Sequence, residues 1–281
     1  MTSKRKPRRR RQASAARSRW VIGGAAALAV VVAAWALVSS ETSPAGASQP
    51  LTVVSLRADV LREIPHDPTA YTQGLLWRDG ALYESTGQYG SSRLSRIDPH
   101  TGTVEQQVFI APTFFGEGLA QVGDELLMLT WQAERGLVFD IHTLEQTRAF
   151  RYRGQGWGLC HDGERLIMSN GSDTLTFRDP VTFEEIGAVR VTLRGQPLDQ
   201  LNELECVGAL VYANVYQDDY LVIIDPSTGR VTHQIDAADL LTPQESRSVD
   251  VLNGVAYDPD GDTFYITGKL WPKIFEVRFV E

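Results

Sequence analysis

Cysteine and histidine are scarce in this sequence, and their placement excludes two kinds of small stabilised fold. Only two cysteines, Cys160 and Cys206, occur among 281 residues, so no disulfide framework is present. The five histidines are scattered, and none has the spacing to a Cys or His that is typical of a zinc site. One disulfide bond in an oxidising compartment is an open alternative. We expect instead two unpaired buried thiols, because the repeat described below places the cysteines on the inner strands of different units.

Acidic residues are absent from residues 1–19, which contain nine of the 27 Lys and Arg residues. The other 18 basic residues therefore accompany all 35 acidic residues, and a basic tail precedes an acidic body. An uncharged run follows at residues 20–38, and as a helix it spans roughly 28 Å, about one bilayer core. A basic segment before such a run indicates a cytoplasmic N-terminus. A membrane span this close to the basic residues argues against binding of nucleic acid.

Two interpretations of residues 20–38 stay open, a transmembrane anchor and a cleaved signal peptide. Ala-Gly-Ala at 45–47 has the small-x-small form of a cleavage site. The hydrophobic run is longer than a usual signal core, which favours the anchor. Residues 39–50 are rich in Ser, Thr, Pro, Ala and Gly, as in a flexible linker. We therefore expect residues 51–281 to be an extracytoplasmic domain, membrane-anchored in the first case and secreted in the second.

Amphipathic helices of usable length are missing after residue 50, and short strand patterns separated by turn signals recur instead. Five segments open with similar triplets whose second residues lie 44, 40, 45 and 51 positions apart. The triplets are Gln-Gly-Leu (73–75), Glu-Gly-Leu (117–119), Trp-Gly-Leu (157–159), Asn-Glu-Leu (202–204) and Asn-Gly-Val (253–255). A period in the forties predicts an all-β protein, a five-bladed β-propeller with four strands in each blade.

Residues 53–64 form one strand too many for the first blade. We expect this strand to close the ring by joining the last blade, whose own final strand is at residues 274–280. A solenoid of β-units is the rival architecture, but the polar caps that its ends require are missing. A closed ring needs no partner, so we expect a monomer.

The repeat also predicts which side chains meet, because the first strand of every propeller blade lines the central channel. The first strands bring together Gln73, Glu117, Trp157, Asn202 and Asn253. The ends of the second strands add Glu84, Trp131, Asn170, Tyr216 and Lys269. An acid, a lysine, amides and indoles at one mouth predict a concave polar and aromatic pocket. The plainer alternative is that these groups satisfy one another and water in the channel.

Glu117 is the member of this set with the most distinctive surroundings, Phe-Phe-Gly-Glu-Gly at 114–118. Glycine on both sides allows backbone or a ligand to approach closely. Aromatic neighbours exclude water and raise the pKa of a carboxyl group towards the range in which it exchanges protons. Taken alone the fragment is better interpreted as a turn with a solvated Glu, but the recurrence of its frame along the chain favours a functional site.

Eight motifs resemble those of the plant and bacterial type of glutaminyl-peptide cyclotransferase, in order and from about residue 66 to the end. They are Thr-Gln-Gly-Leu (72–75), Leu-Tyr-Glu-Ser-Thr-Gly (82–87), Phe-Gly-Glu-Gly (115–118), Leu-Thr-Trp (129–131), Gly-Trp-Gly-Leu (156–159), Leu-Asn-Glu-Leu-Glu (201–205), Val-Leu-Asn-Gly (251–254) and Thr-Gly-Lys-Leu-Trp-Pro (267–272). The resemblance implies a five-bladed propeller that converts the N-terminal glutamine of peptides and proteins into pyroglutamate and releases ammonia. It also implies that the reaction needs no catalytic metal or other cofactor.

The pocket residues implied by this resemblance are Gln73, Phe115, Glu117, Trp131, Trp157, Asn202 and Lys269. Two positions depart from the family pattern, since Tyr71 stands where Phe is usual and Tyr216 where Trp is usual. Both keep an aromatic face, so we expect activity with a shifted substrate preference. Together with Asn253, these two tyrosines complete the expected set of substrate-binding residues.

Our mechanistic hypothesis gives four of these residues catalytic roles. Glu117 accepts a proton from the α-amine and returns it to the departing ammonia. Lys269, Gln73 and Asn202 orient Glu117 or donate to the oxygen that gains charge. The aromatic residues Phe115, Trp131, Trp157 and Tyr216 enclose the glutamine methylenes.

Two other functions are compatible with a propeller of this composition. A calcium-dependent, lactonase-like hydrolase needs oxygen ligands from several blades, and Glu117, Asn202 and Asn253 are candidates. Trp157 at an equivalent position and Lys269 nearby argue against a divalent cation there. A non-catalytic propeller would bind peptide ends without releasing ammonia.

Overall fold

The computed structural model describes residues 52–281. The predicted basic tail (1–19), the anchor or signal peptide (20–38) and the linker (39–50) lie outside this range and stay predictions. Within the described range, no helix is both long enough and apolar enough to cross a membrane.

Strands joined by tight turns make up most of residues 52–281, together with one 3-10 helix, Glu245–Arg247. The first strands in the chain are β1 (Val54–Pro65), β2 (Thr72–Arg78), β3 (Ala81–Thr86), β4 (Arg93–Ile97), β5 (Val104–Phe109), β6 (Gly116–Val122), β7 (Glu125–Thr130), β8 (Arg135–Asp140), β9 (Gln146–Arg151), β10 (Leu159–His161) and β11 (Leu166–Met168). The others are β12 (Thr174–Arg178), β13 (Glu185–Arg190), β14 (Thr192–Leu193), β15 (Gln196–Pro197), β16 (Leu201–Val207), β17 (Leu210–Val215), β18 (Tyr220–Asp225), β19 (Arg230–Asp236), β20 (Leu252–Asp258), β21 (Thr263–Gly268) and β22 (Lys273–Val280). The all-β prediction is confirmed.

Four aspartates explain why the third strands of several groups end where they do. The side chains of Asp98, Asp140, Asp179 and Asp225 each accept a hydrogen bond from the backbone N–H two residues later. An aspartate that bonds its own backbone in this way stabilises a tight turn. Each turn reverses the chain into the next antiparallel strand, which produces the repeated pattern of the sequence.

The strands form antiparallel groups of four. Strands β2–β5, β6–β9 and β10–β13 are separate four-stranded sheets, and the remaining ten strands form one larger sheet. That larger sheet contains the run β16–β19 and the run β20, β21, β22 and β1, in which β1 is the outermost strand. The short hairpin β14–β15 attaches beside β19.

Strand β1 pairs with the last strand of the chain, as predicted for residues 53–64. It runs antiparallel to β22, from Arg57 opposite Val280 to Pro65 opposite Lys273. It also pairs in parallel with β19, from Val54 opposite His233 to Arg57 opposite Asp236, which the sequence did not predict. One strand therefore joins two neighbouring groups into a single sheet.

The groups follow one another in a circle, giving propeller-like sheets. The first strands touch in the order β2, β6, β10, β16 and β20, and β20 touches β2 again. Five hydrophobic clusters lie between successive groups, and the last of them packs the final group on the first. Within β3, for example, Leu82 faces one cluster and Tyr83 the next. Successive side chains of a strand point to opposite faces, so these strands are buried on both sides.

Cys160 and Cys206 form a disulfide bond, so the expectation of unpaired thiols is wrong. Cys160 lies in β10 and Cys206 in β16, and their Cα atoms are 5.5 Å apart. Unpaired thiols would require the inner strands of different units to lie far apart. Around the circle, however, β10 and β16 are neighbours.

Replacing both cysteines by serine is expected to lower the free energy of unfolding by about 2–4 kcal/mol. The reason is that a bond between residues 46 positions apart restricts the unfolded chain. Urea unfolding of the wild type and of the double variant measures the difference, and the reduced wild type should match the variant. Equal midpoints for the oxidised and reduced wild type would contradict this expectation.

Candidate functional site

A concave pocket with a volume of about 280 Å³ opens where the first strands begin. Its lining residues come from all five strand groups and are Tyr71, Gln73, Gln88, Phe115, Glu117, Trp131, Trp157, Asn202, Tyr216 and Lys269. Nine of the ten predicted site residues are in this set. Residues that are up to two hundred positions apart in the sequence therefore share one pocket, and their roles in catalysis and binding stay predictions.

Glu117 lies in β6 with its side chain almost wholly buried. Its Oε1 accepts a hydrogen bond of 2.9 Å from Gln73 Nε2. Burial raises the pKa of Glu117 well above its ordinary value, and the positive charge of Lys269 opposes this only in part. Glu117 is thus a carboxyl group with an increased affinity for a proton, as a general base that later acts as an acid requires.

The glycines on both sides of Glu117 are required by neighbouring backbone. A Cβ atom on Gly116 would lie 2.6 Å from the carbonyl oxygen of Thr86, and one on Gly118 would lie 2.5 Å from that of Trp157. Gly118 N–H also donates a 2.6 Å hydrogen bond to that same Trp157 oxygen. Close approach of backbone from two neighbouring strand groups, rather than of a ligand, therefore explains this part of the motif.

Lys269 lies just after β21 and is buried between two aromatic rings. Its Nζ is 5.0 Å from the ring centre of Tyr71 and 5.0 Å from that of Tyr216. Burial lowers the pKa of Lys269, and the charges of Glu117 and Asp250 act in the opposite direction. Within residues 52–281 no carboxylate lies within ion-pair distance of Nζ, so the ammonium group is available to a ligand.

Asn202 lines the pocket and has an amide oxygen without a hydrogen-bond partner. Its Oδ1 is buried and makes no hydrogen bond within the described part of the chain. Its backbone is fixed, since Ser169 Oγ donates to the Asn202 carbonyl oxygen at 2.6 Å. An unpaired buried acceptor costs free energy unless a ligand supplies a donor.

Aromatic rings enclose the rest of the pocket. We call Tyr71, Phe115, Trp131, Trp157 and Tyr216 the aromatic wall. The ring of Phe115 lies 6.0 Å from Tyr71 and 5.6 Å from Trp131, between centres. The rings of Trp157 and Tyr216 are 5.6 Å apart and meet edge to face. This wall is suited to apolar methylene groups and keeps water away from Glu117.

Asn253 does not line the pocket, so its interpretation as a substrate-binding residue is wrong. Its fully buried Nδ2 donates to the Thr72 carbonyl oxygen at 3.0 Å and to Gln73 Oε1 at 3.3 Å. The following residue, Gly254, has φ of 123°, whereas the glycines after Gln73 and Glu117 have no positive φ. The backbone conformation after Asn253 therefore differs from that of the equivalent residues. Asn253 holds the Gln73 side chain by a hydrogen bond and does not face the pocket.

A second buried carboxyl group, Glu203, follows Asn202 in β16. Its two oxygens accept hydrogen bonds from the backbone N–H groups of Leu75, at 3.2 Å, and of Val255, at 2.9 Å. Burial also raises the pKa of Glu203. Because backbone donors of two other strand groups satisfy Glu203, its role is to tie first strands together, in contrast to Glu117.

Gln88 is a pocket residue that the sequence did not indicate. It is exposed at the rim and has φ of 92°, a backbone conformation that residues with a side chain rarely adopt. Its carbonyl oxygen accepts hydrogen bonds from the N–H groups of Ser91 and Ser92 and from Ser92 Oγ, which hold this conformation. Its place directly after the motif at 82–87 was the only available signal.

Comparison with known proteins gives this pocket a family. A family model described as Glutamine cyclotransferase matches residues 28–279. The chain belongs to the glutamine cyclotransferase family. The resemblance carried by the eight sequence motifs is thereby confirmed.

Two relatives extend the family assignment. A glutaminyl-peptide cyclotransferase of Arabidopsis thaliana is 39% identical over 225 residues, which are 78% of this chain and 70% of that protein. The crystal structure of the Myxococcus xanthus glutaminyl cyclase is similar with a TM-score of 0.74 and 37% identity. The similarity covers 82% of this chain and 99% of that one.

In this member of the glutamine cyclotransferase family, two of the second-strand residues grouped with the pocket do not line it. Asn170 is exposed, and its Oδ1 accepts hydrogen bonds from the backbone N–H and hydroxyl of Ser172. Glu84 is buried behind β2, where its Oε1 accepts a 2.7 Å hydrogen bond from the Thr72 hydroxyl. Both residues are therefore structural.

Glu84 also forms a buried pair with His66. His66 Nε2 lies 3.0 Å from Glu84 Oε1, and Nδ1 lies 2.8 Å from the carbonyl oxygen of Trp271. Both ring nitrogens thus face acceptors, which the doubly protonated ring satisfies. Burial lowers the pKa of His66, but the charge and hydrogen bond of Glu84 and the Trp271 carbonyl outweigh it, so the pKa is raised.

The His66→Gln variant is expected to be less stable than the wild type by about 3–5 kcal/mol at pH 6, because Glu84 loses a buried cationic partner. The folded-state pKa of His66 is above the unfolded value of about 6.5. The contribution of protonated His66 to the free energy of unfolding is therefore complete below about pH 6.5, and it is lost as the pH rises through the folded-state pKa. Urea unfolding of both proteins from pH 6 to pH 9 should show the difference shrinking.

The exposed His142 provides the matched control, since His142→Gln removes an imidazole that faces solvent. We expect little change in stability from that substitution at any of these pH values. A stability difference for His66→Gln that stays constant with pH would show that His66 is neutral in the folded protein.

Proposed function

We propose that this chain is a glutaminyl-peptide cyclotransferase, which converts the N-terminal glutamine of peptides and proteins into pyroglutamate with release of ammonia. The observation that carries the proposal is Glu117, a buried carboxyl group inside an aromatic pocket, with a raised pKa and one hydrogen bond from Gln73. The family and its relatives' names support the same reaction.

The reaction needs one proton to move in each of two steps. In the first, the α-amine nitrogen bonds to the side-chain amide carbon, the carbonyl oxygen gains the negative charge, and Glu117 accepts a proton from the amine. In the second, the carbon–nitrogen bond of the former amide breaks while Glu117 returns its proton to the leaving nitrogen, which departs as ammonia. A free α-amine has a pKa of about 8. Because the pKa of Glu117 is raised, the difference in pKa between the amine and the carboxyl group is smaller, which makes the proton transfer easier.

Three polar residues position the reacting groups in this mechanism. Gln73 orients Glu117 through the 2.9 Å hydrogen bond, and Asn253 holds Gln73 in turn. The unpaired Oδ1 of Asn202 accepts a hydrogen bond from a substrate N–H. The Lys269 ammonium stabilises the oxyanion, and the exclusion of water strengthens that interaction.

The aromatic wall supplies the remaining share of the catalysis, which is conformational. An extended glutamine side chain cannot react, because its amine and amide carbon must meet to close a five-membered ring. Rings packed around the two methylenes bind the folded conformer, so the entropic cost of folding the side chain is met when the substrate binds and is measured in KM.

Several finer features belong to the same proposal. The circular order of the first strands and the five clusters between groups support five blades, with β1 as the outer strand of the fifth. The Cys160–Cys206 bond supports an oxidising, extracytoplasmic location, since such bonds persist there. A membrane anchor at residues 20–38 and a monomeric state are consistent with these features.

The expected independence of metal ions stays a prediction. Within residues 52–281 no group of three or more His, Cys, Asp and Glu side chains is arranged to hold a metal ion. Of the three candidate ligands of the calcium alternative, Glu117 and Asn202 line the pocket, whereas Asn253 does not and donates its Nδ2 to Thr72 and Gln73.

The test is a coupled assay of ammonia released from dipeptides by the full-length protein, with and without a chelator. Glutamine-first dipeptides should release ammonia, while asparagine-first dipeptides should not, because their cyclisation would form a four-membered ring. Loss of ammonia release with the chelator would show that the cyclisation needs a metal ion, against the expected independence. Binding of the glutamine-first dipeptide without ammonia release would indicate a non-catalytic binding module.

A further inference from the structure

The pocket is bordered by a closed circle of contacts that contains two polar links. Phe115 joins Tyr71 and Trp131 into one half of the aromatic wall, and Trp157 and Tyr216 form the other half. The first link is Lys269, whose Nζ lies between the rings of Tyr71 and Tyr216. Among the described residues no ring contact joins Trp131 to Trp157, so the second link must be a different group.

Gln155 supplies that second link. Its Oε1 accepts a hydrogen bond of 2.8 Å from Trp131 Nε1 and another of 3.0 Å from Trp157 Nε1. One carbonyl oxygen has two lone pairs, so a single side chain satisfies the indole donors of two neighbouring strand groups. The side chain itself is exposed and is not part of the pocket lining.

We propose that Gln155 is a positioning residue that holds Trp131 and Trp157 in the orientation that encloses the substrate glutamine. This inference rests on the proposed cyclotransferase function. Gln155 acts through the two indoles and has no contact with the reacting atoms.

Backbone contacts around Gln155 explain why its side chain controls these rings. Trp131 N–H donates to the Phe115 carbonyl at 3.0 Å, and Gly156 N–H donates to the Trp131 carbonyl at 3.1 Å. Trp157 N–H donates to the Ser169 carbonyl at 3.1 Å. Both tryptophan backbones are therefore fixed, and the freedom that remains is rotation of the side chains. The shared acceptor restricts that rotation.

Close packing restricts the backbone next to Gln155. A Cβ atom on Gly156 would lie 3.1 Å from the Leu129 Cβ atom and would overlap the Tyr152 ring hydroxyl. On the far side, a Cβ atom on Gly171 would lie 2.7 Å from the Trp157 ring. These contacts restrict the backbone conformation of residues 155–157. In this conformation the Gln155 amide lies between the two indoles.

Loss of the shared acceptor is expected to weaken substrate binding more than it slows turnover. The wall contacts the glutamine methylenes in the ground state and in the transition state alike, and loss of such uniform binding raises KM with little change in kcat. For Gln155→Leu, which keeps the size but removes the acceptor, we expect a KM about tenfold higher, as for the loss of two neutral hydrogen bonds. Gln155→Glu keeps an oxygen acceptor and should restore most of the affinity.

The first measurement observes the indoles without substrate. In ¹H–¹⁵N spectra of the full-length protein, the Nε1–H resonances of Trp131 and Trp157 should both shift in Gln155→Leu, and both should return towards the wild-type positions in Gln155→Glu. Trp131→Phe and Trp157→Phe assign the two signals. The Trp271 Nε1–H donates to the Asp250 carbonyl at 2.9 Å and should not move. Gln132→Leu is the matched control, because Gln132 is exposed and adjacent to Trp131.

The second measurement is KM and kcat for a glutamine-first dipeptide with the same variants. Unmoved indole resonances in Gln155→Leu would overturn the link itself. Moved resonances with an unchanged KM would overturn the positioning role and leave a structural contact. A wild-type protein that releases no ammonia would instead overturn the proposed function, and the spectra would still decide whether the link exists.

Discussion

The Glu117→Gln variant should lose about 10²- to 10⁴-fold in kcat while its fold stays intact. Glutamine has the shape of glutamate, and an amide oxygen at the same place still accepts the hydrogen bond from Gln73 Nε2. What the amide cannot do is take a proton from the α-amine and return it to the leaving nitrogen. The substitution therefore removes the proton transfer and leaves the pocket otherwise unchanged.

The stability of the Glu117→Gln variant distinguishes a loss of proton transfer from a loss of the folded state. Burial raises the pKa of Glu117, and a raised carboxyl pKa lowers the stability of the folded protein at pH values above the unfolded-state pKa of about 4.3. A neutral amide avoids this cost, and we expect the variant to be at least as stable as the wild type at pH 8. Glu164→Gln, at an exposed turn, is the matched control and should retain full activity. Near wild-type turnover in Glu117→Gln would show that another group moves the proton.

The Lys269→Met variant should lose about 10²- to 10³-fold in kcat, which is the usual effect of removing one donor to a developing oxyanion. Methionine preserves most of the apolar stem between Tyr71 and Tyr216 but carries no charge. The residual activity should also have a changed pH dependence. The charge of Lys269 lowers the pKa of Glu117, so its removal lets Glu117 keep its proton to higher pH. The acid limb of the kcat profile should then move to higher pH.

The measurement is kcat as a function of pH, from pH 5 to pH 10, for the wild type and the variant. Lys273→Met is the matched control, because Lys273 pairs with Glu63 and Glu245 outside the pocket. It should leave both the rate and the acid limb unchanged. An acid limb that stays in place in Lys269→Met would mean that Lys269 and Glu117 do not interact in the enzyme–substrate complex.

The repeat made the fold and most of the pocket predictable from the sequence. Tight turns and strands recur at a regular period, so equivalent positions could be aligned, and Glu117, Asn202 and Lys269 could be placed at one opening. Some side chains at equivalent positions of the repeat nevertheless do not line the pocket. Asn253 has such a position, but the positive φ of Gly254 changes the course of the chain there.

The remaining features depend on contacts that no period encodes. The disulfide bond joins strands that are adjacent only because the sheets form a circle. Gln88 reaches the pocket through a backbone conformation that three hydrogen bonds to its carbonyl hold in place. Gln155 lies in a connecting segment, and its importance comes from two indoles in different strand groups. Such loop positions become visible only in three dimensions.

The pairing of β1 with β22 sets the order of events when this protein is made. The strand of the domain that leaves the ribosome first has its main partner, Lys273–Val280, in the strand that leaves last. The circle therefore cannot close until β22 has been synthesised, and until then Val54–Pro65 has a free edge open to strands of other chains. A chain that lacks Lys273–Val280 would keep that edge unpaired, and we expect it to aggregate rather than to form a smaller working enzyme.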